Sequence, residues 1–540
     1  MKNPLFFADL HVHPSMKPFH SGINEPRKSL WDDFPISTAT KDSLLDSFVK
    51  QMVKYSQADF TKCAKGHSWL LFTSLYPVEI PWFSMSKIGS LIVNEENRKR
   101  LSQSLTNFNE TVLENDFLQV LNGDKPIDYF SRLEREYQYI LTQENTTPGK
   151  KMKILKDYDD YKDWKAGISD PPVVAEPCIA LIITIEGAHS FFTFENYGKL
   201  KNKYTLEQVS DKSWSEFGSF RKMLIDNISK VKQWGPDHNG SHAPLFITFS
   251  HHFWNLLAGH AQSIGNIFLN QNEGMDTGFT KLGYTAVTKL LEKGVNSRRI
   301  LIDIKHLSHK ARSQYYEMIK GYSSVDDQIP VLASHAAVTG TLNPSSDAHM
   351  YFNSSDINLF DEDVLKIARS NGLLGLMMEE GRLLNKPALQ ALFDTHGDHL
   401  SKSPEVCAEI LLAQMLHIVN VCGGKESWNI ICLGSDFDGM INSLDAFDSV
   451  EKYPALFEKI HERLTNETPI LCIDWEPYHL HDNATTVLYT SQSVHNLKFG
   501  LTPDEIIEKI AYKNIEHFLE KYFNDQYLKL PSGIQAKVIA

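Results

Sequence analysis

Eight short apolar runs punctuate the chain, and each is followed by polar residues and then by a long connection with helical periodicity. The runs are Leu5–Leu10, Trp69–Leu75, Ile179–Ile185, Leu245–Phe249, Ile300–Ile304, Pro330–Ala333, Leu373–Met378 and Ile430–Leu433. Strand-length aliphatic runs that alternate with helical connections argue for parallel strands joined by crossover helices. Eight is the number that closes a (β/α)8 barrel. The expected fold is therefore α/β, a TIM-like (β/α)8 barrel.

The connections add detail. Asp361 to Ser370 has the pattern of an amphipathic helix, with acidic residues in its first turn and Gly372 just past its end. Thr502-Pro-Asp-Glu505 joins a capping box to proline at the first helical position, and Ile507, Ile510, Ala511, Ile515 and Phe518 then recur on one face. This helix is expected to pack on the barrel. The length beyond an ordinary barrel falls at about residues 14–66, 80–170 and 440–500, expected as insertions, largely helical, around one domain covering 1–540. The 80–170 insertion is placed to shape the pocket, to form a homodimer surface, or both.

Composition narrows the partners. The chain has 540 residues, 42% of them apolar, enough for a large core. Its formal charge of −13 and lack of a basic patch argue against nucleic acid or an anionic membrane surface as partner. A small molecule is expected instead. No apolar run reaches 18 residues, and the first residues do not have the form of a secretory leader. Cys63, Cys178, Cys407, Cys422, Cys432 and Cys472 include no Cys-x-x-Cys pair, and several lie within apolar runs, which suits reduced thiols. A cytoplasmic location is the expectation.

The first run ends in His11 and His13, and an i, i+2 spacing on an extended backbone points both imidazoles to one side, where they could grip a cation. That pattern alone is weak. With 22 histidines, chance supplies about one His-x-His, and a second stands at His479 and His481. The later strand ends decide the matter, because barrel chemistry gathers at the C-terminal edges of the strands. The third run ends in Glu186, the fourth in His251 and His252, the fifth leads to His306, the sixth ends in His335 and the eighth in Asp436. A single histidine beside a strand is more often a hydrogen-bonded structural residue than a ligand. Metal-ligand types at six strand ends out of eight are not expected from independent decoration, and together they predict a metal site. His20, His242, His260, His309, His349, His479 and His481 lack this placement and are expected to be surface or structural.

The order of these segments resembles a known family. His-x-His at the start, Glu-Gly-Ala-His-Ser at 186–190, Ser-His at 250–251, Asp-Ile-Lys-His at 303–306, Ala-Ser-His at 333–335 and Ser-Asp-Phe-Asp-Gly at 435–439 are similar to the membrane (renal) dipeptidases of the amidohydrolase superfamily. Gly278-Phe-Thr-Lys-Leu-Gly283 and Asn514 also match. The resemblance implies a metal-dependent hydrolase barrel with two divalent ions, zinc foremost, with manganese, iron or cobalt compatible with the same ligands. It implies that His11 and His13 hold one ion, His306 and His335 the other, and Glu186 both. It places His251 beside the substrate carbonyl and gives Asp436 the proton transfer. A water bridging two cations becomes a nucleophile near neutral pH, which suits cleavage of the amide bond of a dipeptide or a related small amino-acid amide.

Two departures from the family pattern bear on the substrate. His13 stands where the family commonly has aspartate, which removes a negative charge from one ion. The stretch Ser355-Asp-Ile-Asn-Leu-Phe-Asp-Glu362 lacks the arginine with which the family clamps a substrate carboxylate, and Asp356 would repel one. Arg382, past the seventh run, is the candidate replacement, although a solvated loop arginine is an equal reading. Glu379 and Glu380 beside it suit a substrate amine. The missing arginine keeps open a second enzymatic reading, hydrolysis of N-acyl amino acids, lactones or other carbonyl compounds. A barrel that only binds a ligand is the third reading, and it is disfavoured because all six expected positions are filled.

Overall fold

The computed structural model describes residues 4–23, 27–35, 55–84, 99, 102–103, 106–144, 149–169, 178–211, 213–264, 269–322, 324, 327–396 and 403–531. Strands stand at all eight apolar runs, the sixth sharing only its last residue with its run: β1 (Phe7–Val12), β2 (Ser68–Leu75), β3 (Cys178–Glu186), β4 (Phe246–Thr248), β5 (Leu301–Asp303), β6 (Ala333–Ala336), β7 (Leu374–Leu376) and β8 (Ile431–Leu433). They are buried almost throughout, as expected of parallel strands covered on both faces. Their order in the sheet is β5-β4-β3-β2-β1-β8-β7-β6, which is sequence order followed around a nearly closed eight-stranded parallel barrel. A ninth strand, Lys151–Ile154, pairs with β3 outside this order.

By compactness the chain divides into two units. The first comprises Met1–Val12, Gln57–Leu71 and Pro330–Phe518. Here β1 pairs with β8 at Asp9 and Leu433, β8 pairs with β7 from Leu374 and Ile431 onward, and β7 pairs with β6 across a shift in register. Glycine permits the close approach beneath the end of β6: a Cβ on Gly375 or Gly434 would stand 2.0 or 1.8 Å from the Ser334 carbonyl oxygen. The capping box predicted at Thr502 is present, with the Thr502 N–H donating to Glu505 at 2.7 Å and the Glu505 N–H donating to the Thr502 hydroxyl at 3.3 Å. The five apolar residues expected on one face after it are buried. Asn514 fastens this helical segment to the barrel, its side-chain amide donating to the Trp428 and Ile431 carbonyls at 2.7 Å each.

The helix predicted at 361 runs Asp361–Arg369, with Asp363 accepting the Phe360 N–H at 3.1 Å. Pro404–Cys422 is the one helix among the described residues long and apolar enough to cross a membrane by length and composition; 72% of its apolar window is buried inside the protein.

The second unit comprises His13–Ser56, Phe72–Ile329 and Leu519–Ala540. Its ladder sets Glu186 of β3 opposite Thr248 of β4, and Thr248 opposite Asp303 of β5, so three strands end at one level. The Thr248 hydroxyl donates to Asp303 at 2.6 Å and ties two of those ends together. Of the 80–170 stretch, the described residues include helices Tyr129–Thr142 and Tyr158–Ser169.

Candidate metal centre

In the first unit the site is built on β1. Asp9, fully buried, accepts the N–H of His11 at 3.1 Å, the N–H of Ser435 at 3.0 Å and the Ser435 hydroxyl at 2.6 Å, and it also accepts the Tyr453 hydroxyl. Burial holds its carboxyl above the ordinary value although all four bonds pull the other way. Asp9 thereby joins the end of β1 to the loop after β8. In that loop the Asp436 N–H donates to the His11 carbonyl at 3.0 Å, and Asp436 takes φ +63°. Gly439 makes the turn possible, because a Cβ there would lie 2.0 Å from Asp436 Oδ1. Asp438 holds the same loop from below by accepting the N–H groups of Gln57 and Ala58 at 2.9–3.1 Å.

Ser334 orients two imidazoles. Its hydroxyl oxygen lies 3.0 Å from His11 Nδ1 and 2.9 Å from His335 Nδ1. A hydroxyl has two lone pairs, so it can accept Nδ1–H from both rings, the tautomer that makes Nε2 the ligand atom. The rings are 3.9 Å apart, and His11 Nε2 is 3.8 Å from Asp436 Oδ1. His11, His335 and Asp436 each offer a ligand atom within 4.8 Å of the others.

In the second unit the centre of the site is Glu186, 2% exposed at the end of β3. Its Oε2 is 3.1 Å from His13 Nε2, while Oε1 is 3.5 Å from His251 Nε2 and 3.8 Å from His306 Nε2. His306 takes φ +65° in a turn where the Lys305 N–H donates to Asp303 at 2.9 Å. His251, His252 and His306 also offer ligand atoms within 4.8 Å of one another. His189, the last histidine of the Glu-Gly-Ala-His segment, contacts the Pro77 carbonyl at 2.8 Å and anchors the loop after β2; burial keeps its ring below the ordinary pKa.

Two buried carboxylates stand behind these imidazoles, and neither belongs to a motif. Glu136, on Tyr129–Thr142, accepts the Ser15 hydroxyl at 2.6 Å and the Tyr76 N–H at 3.0 Å; burial pushes its carboxyl up to about 7 against those bonds and the nearby His13. Glu79 approaches His251 Nδ1 to 2.6 Å. Burial alone would raise Glu79, but the charge and hydrogen bond of His251, the charge of His189 and the Phe253 N–H together outweigh it and hold the carboxyl below the usual range.

The sequence-predicted residues are thus grouped as His11, His335 and Asp436 in one unit, and His13, Glu186, His251 and His306 in the other. Arg382 is engaged within its own loop, Nε lying 3.3 Å from Glu379 Oε2 and its carbonyl accepting the Asn358 amide at 2.8 Å. The buried carboxylates Asp9, Glu79 and Glu136 and the hydroxyl of Ser334 were not singled out from sequence. The apolar run containing Asp9 was a signal for it, since a carboxylate at a fully buried strand position demands donors. The remaining histidines behave structurally where buried: His20 bonds to the Met16 carbonyl at 2.7 Å, His242 to Tyr137 at 3.0 Å and His260 to two carbonyls at 3.0–3.1 Å.

Imidazole and carboxylate donors in clusters of this size fit a divalent cation such as zinc, manganese or cobalt. Fold and donor sets define the class, a (β/α)8 barrel with imidazole and carboxylate groups at its strand ends. Residues 244–491 match the family model of the membrane dipeptidases, peptidase family M19. An uncharacterized dipeptidase of Schizosaccharomyces pombe is 26% identical over 225 residues, 41% of this chain and 42% of that protein, so the match spans less than half of the relative. Among solved structures, a metallo peptidase from Rhodobacter sphaeroides liganded with a phosphinate mimic of the dipeptide L-Ala-D-Ala is similar over 96% of this chain and 100% of its own, at 12% identity and a TM-score of 0.46. The probable dipeptidase PvdM from Pseudomonas aeruginosa is similar over 87% of this chain and 89% of its own, at 13% identity and a TM-score of 0.44.

Proposed function

We propose that this protein is a metal-dependent hydrolase that cleaves the amide bond of dipeptides or related small amino-acid amides, with two divalent ions held by His11, His13, Glu186, His306 and His335. The observation that carries this reading is the burial of two imidazole–carboxylate sets at strand ends, with Ser334 at the far ring nitrogens of His11 and His335 and Glu79 at that of His251. When bound, such ions lower the proton affinity of water and polarise the carbonyl that it attacks.

The protein side chains supply the rest. Asp436, 13% exposed at its side chain, is the group that takes the proton from the attacking water and delivers it to the leaving amine. His251 presents Nε2 on the Glu186 side of its ring, where an N–H can stabilise the oxyanion that develops in the tetrahedral intermediate.

A second reading, hydrolysis of N-acyl amino acids or lactones, is favoured by one observation. The segment 355–362 contains no arginine, and Arg382 already faces Glu379. Assay of metal-reconstituted protein on free dipeptides beside N-acylated and C-terminally amidated analogues separates the two. Turnover of free dipeptides is the expected result, and turnover only of compounds without a free C-terminal carboxylate would overturn the dipeptidase reading.

A further inference from the structure

We infer that Glu79 is a positioning residue for His251, fixing the ring so that Nδ1 carries a proton and Nε2 is turned toward Glu186; the inference rests on the proposed function, because it assigns His251 its working orientation. Glu79 lies in the turn after β2, outside the segment matched by the family model. It is 2% exposed, and among the described residues no lysine or arginine pairs with it. A buried carboxylate is costly unless its oxygens are filled by donors.

The donors present show how those oxygens are used. Oε1 accepts the Phe253 N–H at 3.1 Å. Oε2 lies 2.6 Å from His251 Nδ1, 3.3 Å from the Tyr76 hydroxyl and 3.4 Å from the His252 N–H. A carboxylate oxygen can only accept, so the 2.6 Å contact requires Nδ1–H on His251. Tyr76 stiffens the arrangement: its hydroxyl accepts the Trp82 indole N–H at 3.0 Å, and its ring packs edge-on to His251 at 4.7 Å. His252, the next residue, is held by a different group, its Nδ1 lying 2.6 Å from the Ser263 hydroxyl. Two adjacent rings are therefore oriented separately, and only His251 faces both Glu79 and Glu186.

Glu79 also binds two backbone N–H groups, so a purely structural role must be told apart from positioning. The experiment compares wild type, Glu79→Gln, His251→Ala and the double variant as zinc-loaded full-length protein, measuring kcat and KM on a hydrolysed dipeptide. Glutamine keeps the shape but sets an amide N–H against donors. Glu79→Gln is expected to lower kcat by about 10- to 100-fold with KM changed less than about threefold, and to have less than about a twofold effect when His251 is already alanine. A loss of the same size in both backgrounds, or no loss in either, would overturn the inference.

A second measurement does not depend on turnover. In the zinc-loaded wild type with nitrogen-15-labelled histidine, the signals removed by His251→Ala should report a protonated Nδ1, and a bare Nδ1 there would overturn the assignment. Absence of any hydrolysis would count against the proposed function, while this measurement would still decide the role of Glu79.

Discussion

Asp436 is the proposed proton-transfer group and one of the strained residues of the site. Its left-handed backbone, the His11 carbonyl that accepts its N–H and the glycine three residues on all serve to aim one carboxylate beside His11. Asp436→Asn keeps this geometry and removes the proposed proton acceptor. It should retain wild-type metal content by elemental analysis while turnover falls by about 10²- to 10⁴-fold; an active variant would remove Asp436 from proton transfer. His349 gives a prediction independent of the site. Its Nδ1 accepts the N–H groups of Tyr351 and Phe352 at 3.2 and 3.0 Å, and burial, with His417 nearby, depresses its pKa from 6.5 to about 4. The unfolded chain takes up a proton near pH 6.5 and the folded ring resists until about 4, so this contribution to stability is complete above 6.5 and is lost as the pH falls toward 4. The melting temperature should drop over that window, and less steeply in His349→Asn; equal slopes would contradict the assignment. The metal-ligand candidates were legible in the sequence because each ends an apolar run. Glu79 and Glu136 were not, because they come from a turn and an inserted helix, and only folding brings them behind histidines distant in sequence.

At the scale of elements, the strands were legible because a buried parallel strand must be apolar along its whole length, so runs such as Ile179–Ile185 stand out without any alternation. Lys151–Ile154 escaped notice for the opposite reason: it alternates lysine with apolar residues over only four positions and is buried on one side alone. Packing between elements is testable at Gly434. A methyl group there meets the Ser334 carbonyl, which cannot move without displacing the Ser334 hydroxyl and His335. Gly434→Ala should cost about 1–3 kcal/mol in denaturant unfolding and weaken metal binding together. A variant as stable as wild type would show that β6 and β8 are more widely spaced than described. Thr502→Ala removes a capping box on an exposed turn and should cost about 1 kcal/mol without altering metal content.

For the molecule as a whole, the proposed function requires that buried imidazoles and carboxylates at the strand ends hold divalent ions used for amide hydrolysis. The sequence carried the order of the ligand-bearing segments but not the supporting hydrogen bonds, and the substrate is the least legible part, since Arg382 pairs with Glu379 and the 355–362 stretch supplies no guanidinium. The most direct test is the release of amino acids from a dipeptide panel by chelator-treated protein as zinc or manganese is added back in known equivalents. The proposed function predicts that turnover is absent in the depleted protein and rises to a plateau at two equivalents per chain. Turnover that survives depletion, or a failure to hydrolyse any dipeptide with both equivalents bound, would contradict it.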